Sequence, residues 1–202
     1  VNARRLLLAA PRFIAVTGIL VGAAGAAMYG LASQIWPTSI ALVIALAAIE
    51  LVSASVATDW RRAHLSPLYW VFVVLIKYNT LMALSTAHAP FEIPFSLTLG
   101  LIMIAGQAAS YALVVSVMAH APHQPRVSAT DLALALIVGL APATLLGIPG
   151  LIGLAAAIIM RLVVTMTILS KLNAEPRTNL AVTQQLTELC FYLGALATWK
   201  FI

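Results

Sequence analysis

Four ionisable side chains interrupt otherwise apolar runs of this chain: Glu50, Lys77, Arg161 and Glu188. A charge at the centre of a bilayer costs about 2.5–3.5 kcal/mol on insertion scales, so such groups turn toward a protein interior or a wet cavity. Gln184 and Glu188 are four residues apart and share a helix face. With Gln107 they form a set of acceptors, donors and charges that could bind a polar ligand or fix helix register. Glu188–Arg161 and Glu50–Lys77 are the candidate buried ion pairs, and such pairs are often neutral for stability. His120 and His123 are three apart but have no third ligand nearby in sequence, so a zinc site is not expected. Phosphate-loop, nucleophile-elbow and H-E-x-x-H patterns are absent from the sequence.

The elements that must position these groups are long and apolar. Hydrophobic residues make up 62% of the 202 residues and charged residues 8%. A soluble domain of this size has too little interior to bury so much apolar surface, so lipid must supply the rest. The expected fold is all-α, a polytopic transmembrane bundle forming a single domain over residues 1–202. Seven helices are predicted, at about 13–33, 39–57, 67–87, 95–120, 130–147, 151–170 and 180–200, since about 20 apolar residues cross a bilayer. Thr130 is the expected cap of the fifth helix, with Asp131 suited to its dipole. Ile148-Pro149-Gly150 reads as a tight turn, and 173–179 as a polar loop. Gly18, Gly22, Ala26 and Gly30 form a small-residue ridge that lets a second helix approach closely.

Loop charges set the expected orientation. With the N-terminus inside, the cytoplasmic side holds Arg4, Arg5, Arg12, Arg61, Arg62, Arg126, Lys171 and Arg177, and the opposite side only Lys200. On this topology Glu50, Arg161, Gln184, Gln185 and Glu188 fall in the cytoplasmic half and Lys77 and Gln107 nearer the middle, which predicts a polar pocket opening inward. The net charge of +5 is spread over loops without interleaved aromatics, so nucleic acid is not an expected partner. The lone Cys190 cannot form an intrachain disulfide and reads as a packing residue. A cleavable signal peptide is not expected, because no small-residue site closes a short first apolar run.

Several segments, in order and spacing, resemble the cobalamin (5'-phosphate) synthase family, the adenosylcobinamide-GDP ribazoletransferases. Phe13–Pro37, with Gly18–Ala23 and Tyr29, is similar to the second helix of that family. Val73–Tyr78, containing Lys77, looks like its L-L-L-K-Y stretch. Gln107-Ala108-Ala109-Ser110 looks like H-A-x-S-R. Thr183–Glu188 followed by Phe191-Tyr192-Leu193 is similar to A-x-Q-Q-L-x-E-x-x-F-x-L.

The resemblance implies an enzyme of the bacterial inner (plasma) membrane that joins adenosylcobinamide-GDP to α-ribazole and releases GMP. It implies Mg²⁺, which binds phosphate oxygens through one or two carboxylates and water. It also implies membrane lipid, corrinoid and α-ribazole as partners, with a homo-oligomer or corrinoid enzymes as protein partners. The candidate catalytic residues are Asp59, Lys77, Gln184 and Glu188, with Asp59 also the metal ligand. The candidate substrate-binding residues are Glu50, His64, Gln107, Ser110 and Arg161.

The chain departs from the family where the acidic motif stands. Ser53–Asp59 aligns with T-G-A-F-H-E-D, so Ala57 and Thr58 occupy the His and Glu positions and only Asp59 is kept. Tyr111 stands for the Arg of H-A-x-S-R, and Pro176-Arg177-Thr178 for T-G-D. Low transferase activity is therefore expected. The alternative functions are a non-catalytic scaffold or accessory paralogue, and a small-solute transporter. A transporter often carries paired broken helices, and Pro142 has no counterpart in the other half of the chain.

Overall fold

The computed structural model describes residues 12–56, 67–86, 95–120, 127–171 and 176–201. Among these residues the chain forms seven helices and no strand: α1 (Arg12–Ala32), α2 (Thr38–Val56), α3 (Pro67–Thr86), α4 (Phe95–His120), α5 (Ala129–Thr144), α6 (Gly147–Lys171) and α7 (Pro176–Phe201). The protein is an all-α helical bundle. Five helices are long and apolar enough to cross a membrane: α1, α2, α3, α4 and α6. Helices α5 and α7 are the two that fall short of this criterion of length and apolarity. Helix α5 has 16 residues, about 24 Å of axis against a hydrocarbon core of about 30 Å. Helix α7 has 26 residues, but its first half carries Arg177, Asn179, Gln184, Gln185 and Glu188.

Exposed and buried faces fit a lipid surround. On α3, Leu68, Val71, Phe72, Leu75 and Ile76 are exposed at helical spacing, while Val73, Lys77, Thr80, Leu81 and Leu84 are buried. The apolar face therefore points outward and the charge inward, the reverse of a water-soluble helix. Helix α4 is the central element, with most of its span Leu97–Ala119 buried. It packs on α1 most extensively, and on α5, α7, α6 and α3.

The small-residue ridge explains the α1–α4 contact. A Cβ on Gly22 would stand 2.5 Å from Ile104 Cα and 2.9 Å from the Met103 carbonyl oxygen. Only glycine lets the two backbones come this close. Gly18 packs in the same way on Ala108 and Tyr111, whereas Gly30 faces open space.

Two boundaries differ from the sequence expectation. The cap of α5 is Ser128, not Thr130: its hydroxyl oxygen accepts from the Asp131 amide at 3.0 Å and its hydroxyl donates to Asp131 Oδ2 at 2.8 Å. A serine just before the helix can satisfy an orphan first-turn amide in this way, which Thr130 inside the helix cannot. The α5–α6 turn lies at Leu145–Leu146, with Gly147 opening α6, rather than at Ile148–Gly150. Gly147 has φ 61°, a left-handed conformation that glycine adopts without steric strain. Pro149 then falls in the first turn of α6, where its missing N–H is no loss. Likewise α7 begins at Pro176 and absorbs residues expected in a polar loop.

Candidate functional site

Helices α3, α4 and α7 bring the intramembrane polar groups to one place. Glu188 is at the centre, with no exposed surface. Its Oε2 accepts from Lys77 Nζ at 2.6 Å and from Gln184 Nε2 at 3.1 Å. Its Oε1 accepts from Gln107 Nε2 at 2.7 Å and from the Tyr192 hydroxyl at 3.1 Å. Two carboxylate oxygens offer about four lone-pair sites, and all four are used here. Lys77 directs its ammonium to the same cluster. It donates to Glu188 and to Gln185 Oε1, and its third neighbour is Glu50 Oε1 at 3.8 Å.

A second ring of contacts orients these side chains. Gln185 Nε2 donates to Gln184 Oε1 at 2.9 Å. Gln184 Nε2 also lies 3.3 Å from Gln107 Oε1 and 3.5 Å from Ser110 Oγ. The Ser110 hydroxyl is turned by donating to the Gln107 carbonyl at 2.9 Å. Tyr192 reaches Glu188 because its ring lies against Gly106, where a Cβ would meet the ring at 2.5 Å. Phe191 holds that ring edge-on, with centroids 6.2 Å apart and planes at 79°. Lys77, Gln107, Ser110, Gln184, Gln185 and Glu188 all have 0% exposure.

Glu50 is different. Its side chain is 26% exposed and lines two adjoining clefts of about 520 and 350 Å³ between α2 and α3. The other walls are almost wholly apolar, from Val43, Leu46, Ala47, Val74, Leu75 and Tyr78 on one side and Leu51, Ala54 and Trp70 on the other. The polar network thus reaches a surface through the carboxylate of Glu50.

Of the sequence-predicted residues, the structure joins Lys77, Gln107, Ser110, Gln184 and Glu188, and sets Glu50 at their edge. Asp59 and His64 lie outside the described residues. Arg161 is separate: it bonds Ser116 on α4, through Nε to Oγ at 3.1 Å and through Nη2 to the carbonyl at 3.2 Å. The Glu188–Arg161 pair is therefore not formed. Lys77 takes that position because α3 packs directly on α7, and one buried carboxylate needs only one cation. Gln185, expected beside Gln184 and Glu188 in the polar set but not as a site residue, joins the site too, and Tyr192 is not expected there at all. Residues 185, 188 and 192 recur at helical spacing on one face of α7, and that periodicity is the signal that identifies them.

The described carboxylates do not fit Mg²⁺. No group of three His, Cys, Asp or Glu side chains gathers among the described residues. Glu188 is saturated by protein donors, Glu50 faces the Lys77 ammonium, and Asp131 closes the α5 cap. A divalent ion needs carboxylate oxygens that are not already committed to protein donors and cations.

Comparison with protein-family models, with curated proteins and with solved structures yields no match to this chain.

Proposed function

We propose that this chain is a bacterial inner-membrane protein built on a cobalamin synthase-type scaffold, acting as a corrinoid-handling accessory with little transferase activity. One observation carries the reading. Three of the segments on which the resemblance rests, around Lys77, around Gln107–Ser110 and around Gln184–Glu188, are far apart in sequence yet meet through direct side-chain bonds. The cost of polar groups in lipid draws them inward in any such bundle, and the resemblance adds the order and spacing of the three segments that meet here.

The low-activity part follows from chemistry. The transfer displaces GMP from a pyrophosphate, and its developing charge needs metal and positioned cations. Here Lys77 is committed to Glu188 and Gln185, and Asp59 is the only residue kept from the acidic motif. Mg²⁺ enters this reading only through Asp59 and the phosphates of the substrate. The one-sided basic charge of the loops supports a cytoplasmic N-terminus.

The test uses the purified full chain with adenosylcobinamide-GDP, α-ribazole and Mg²⁺. The expected result is corrinoid binding, seen by its visible absorbance on the protein, with little or no cobalamin product. Asp59→Asn removes whatever turnover remains. Robust turnover overturns the accessory role, and absence of corrinoid binding overturns the family reading.

A further inference from the structure

Arg161 is the intramembrane charge that the polar core does not use. It lies on α6 within the apolar span Gly147–Thr167 and is half-buried. Around it Ile158, Ile159, Leu162, Val163 and Met166 are exposed, a face that only lipid or another apolar surface can cover. Among the described residues no carboxylate lies within ion-pair distance of its guanidinium. A cation in this setting is costly unless an anion or water meets it.

The hydrogen bonds that Arg161 makes leave one edge of the guanidinium available. A guanidinium carries five N–H donors in a fixed plane. Nε and Nη2 each give one to Ser116, to its hydroxyl oxygen and its carbonyl oxygen. The Ser116 hydroxyl is itself held by donating to the Leu113 carbonyl at 2.7 Å, so a lone pair faces Arg161. That clamp occupies the side edge of the guanidinium. The tip remains, with one N–H on Nη1 parallel to one on Nη2, the fork that grips two oxygens of a phosphate.

Depth suits a headgroup. Ser116 is close to the end of the apolar span of α4, which closes at Ala119. The guanidinium beside it therefore sits within about one helical turn, about 5 Å, of the end of that span. The Arg161 backbone lies deeper, and its aliphatic stem crosses the difference along apolar surface.

We propose that Arg161, oriented by Ser116, binds the phosphodiester of one anionic phospholipid, with the acyl chains lying on Ile158, Leu162 and Met166 of α6. Charge decides for an anionic lipid over a zwitterionic one. No described carboxylate stands beside Arg161 to receive a choline or ethanolamine cation, whereas the guanidinium supplies a full positive charge. The proposal does not rest on the corrinoid reading and stands or falls separately from it.

The test is native mass spectrometry of the full chain in a neutral detergent. Phosphatidylglycerol or phosphatidylcholine of identical acyl chains is added. One phosphatidylglycerol per chain is expected to be retained at about tenfold lower concentration than phosphatidylcholine, the factor that one charge-assisted bidentate contact supplies. Arg161→Gln removes the preference. Arg161→Lys keeps the charge but loses the fork, and weakens retention severalfold. Ser116→Ala keeps Arg161 and its bond to the residue 116 carbonyl but removes the Nε–Oγ half of the clamp, and also weakens retention, so the proposal remains testable should Arg161→Gln fail to fold. Equal retention of the two lipids overturns it, as does an Arg161→Gln protein that binds like the parent. Displacement of the lipid by millimolar inorganic phosphate overturns it by assigning the site to a soluble phosphate. A dimer that Arg161→Gln dissolves overturns it by assigning the face to a second copy.

Discussion

The ammonium of Lys77 and the carboxylate of Glu188 meet at 2.6 Å although 111 residues separate them in sequence and neither has exposed surface. The pair ties α3 to α7, and Gln107 ties α4 to the same carboxylate. Buried ion pairs gain little over a well-packed apolar replacement, but removing one partner strands the other charge. That asymmetry makes the role of the pair measurable.

Lys77→Met is expected to destabilise the protein by about 3–5 kcal/mol, because it leaves the buried Glu188 carboxyl without its cation. Lys77→Met combined with Glu188→Gln should cost less than the sum of the single changes, with a coupling of roughly 1–3 kcal/mol. Thermal unfolding in detergent of the parent, the two singles and the double measures this. Additive singles would show that the two side chains are merely adjacent.

Tyr192→Phe removes one of the four donors to Glu188 while keeping the ring on Gly106. The expected loss is about 1.5–3 kcal/mol, the range for a hydrogen bond to a charged group. It should be smaller than the loss for Lys77→Met in the same melting assay. The reverse order would shift the anchor of the network from the ion pair to the phenol.

Gly22→Ala and Gly30→Ala make the same chemical change on the same helix and should have opposite signs. At Gly22 the new methyl meets the α4 backbone at 2.5 Å, and overpacking costs about 1–3 kcal/mol. At Gly30 nothing lies within 4 Å of the new atom, so alanine is expected to stabilise the helix by about 0.5–1 kcal/mol. Melting temperatures that fall for both substitutions would mean that Gly30 has a neighbour.

A cysteine placed at position 63, in a Cys190→Ala background, should resist a membrane-impermeant maleimide added outside intact cells. The basis is Arg61 and Arg62 beside it, together with the one-sided basic charge of the other loops. Efficient labelling from outside would reverse the orientation.

Lys77, Gln107, Gln184 and Glu188 are legible as a set in the sequence, because a polar side chain inside an apolar run is expensive and must be accommodated. The small-residue spacing of Gly18, Gly22 and Ala26 likewise marks a face of close approach. The partner choices are not legible there. Periodicity says which residues share a face of one helix, and nothing about which face of another helix it meets. The residues alone therefore offer Arg161 to Glu188 as readily as Lys77, and only packing separates them.

The sequence by itself determined an all-helical fold for lipid, the seven helices of the described residues, and most of their ends to within a few residues. Apolar run length, proline and glycine placement, and the cost of unpaired backbone groups in hydrocarbon are local quantities that a linear chain displays. The tertiary structure alone decided that Glu188 is saturated, that Glu50 is its outlet to the α2–α3 cleft, and that Arg161 is clamped by Ser116 on another face. Those facts depend on which helices touch and at what height. Close packing of whole helix surfaces settles that, with Gly22 against Ile104 and Tyr192 against Gly106 setting the distances.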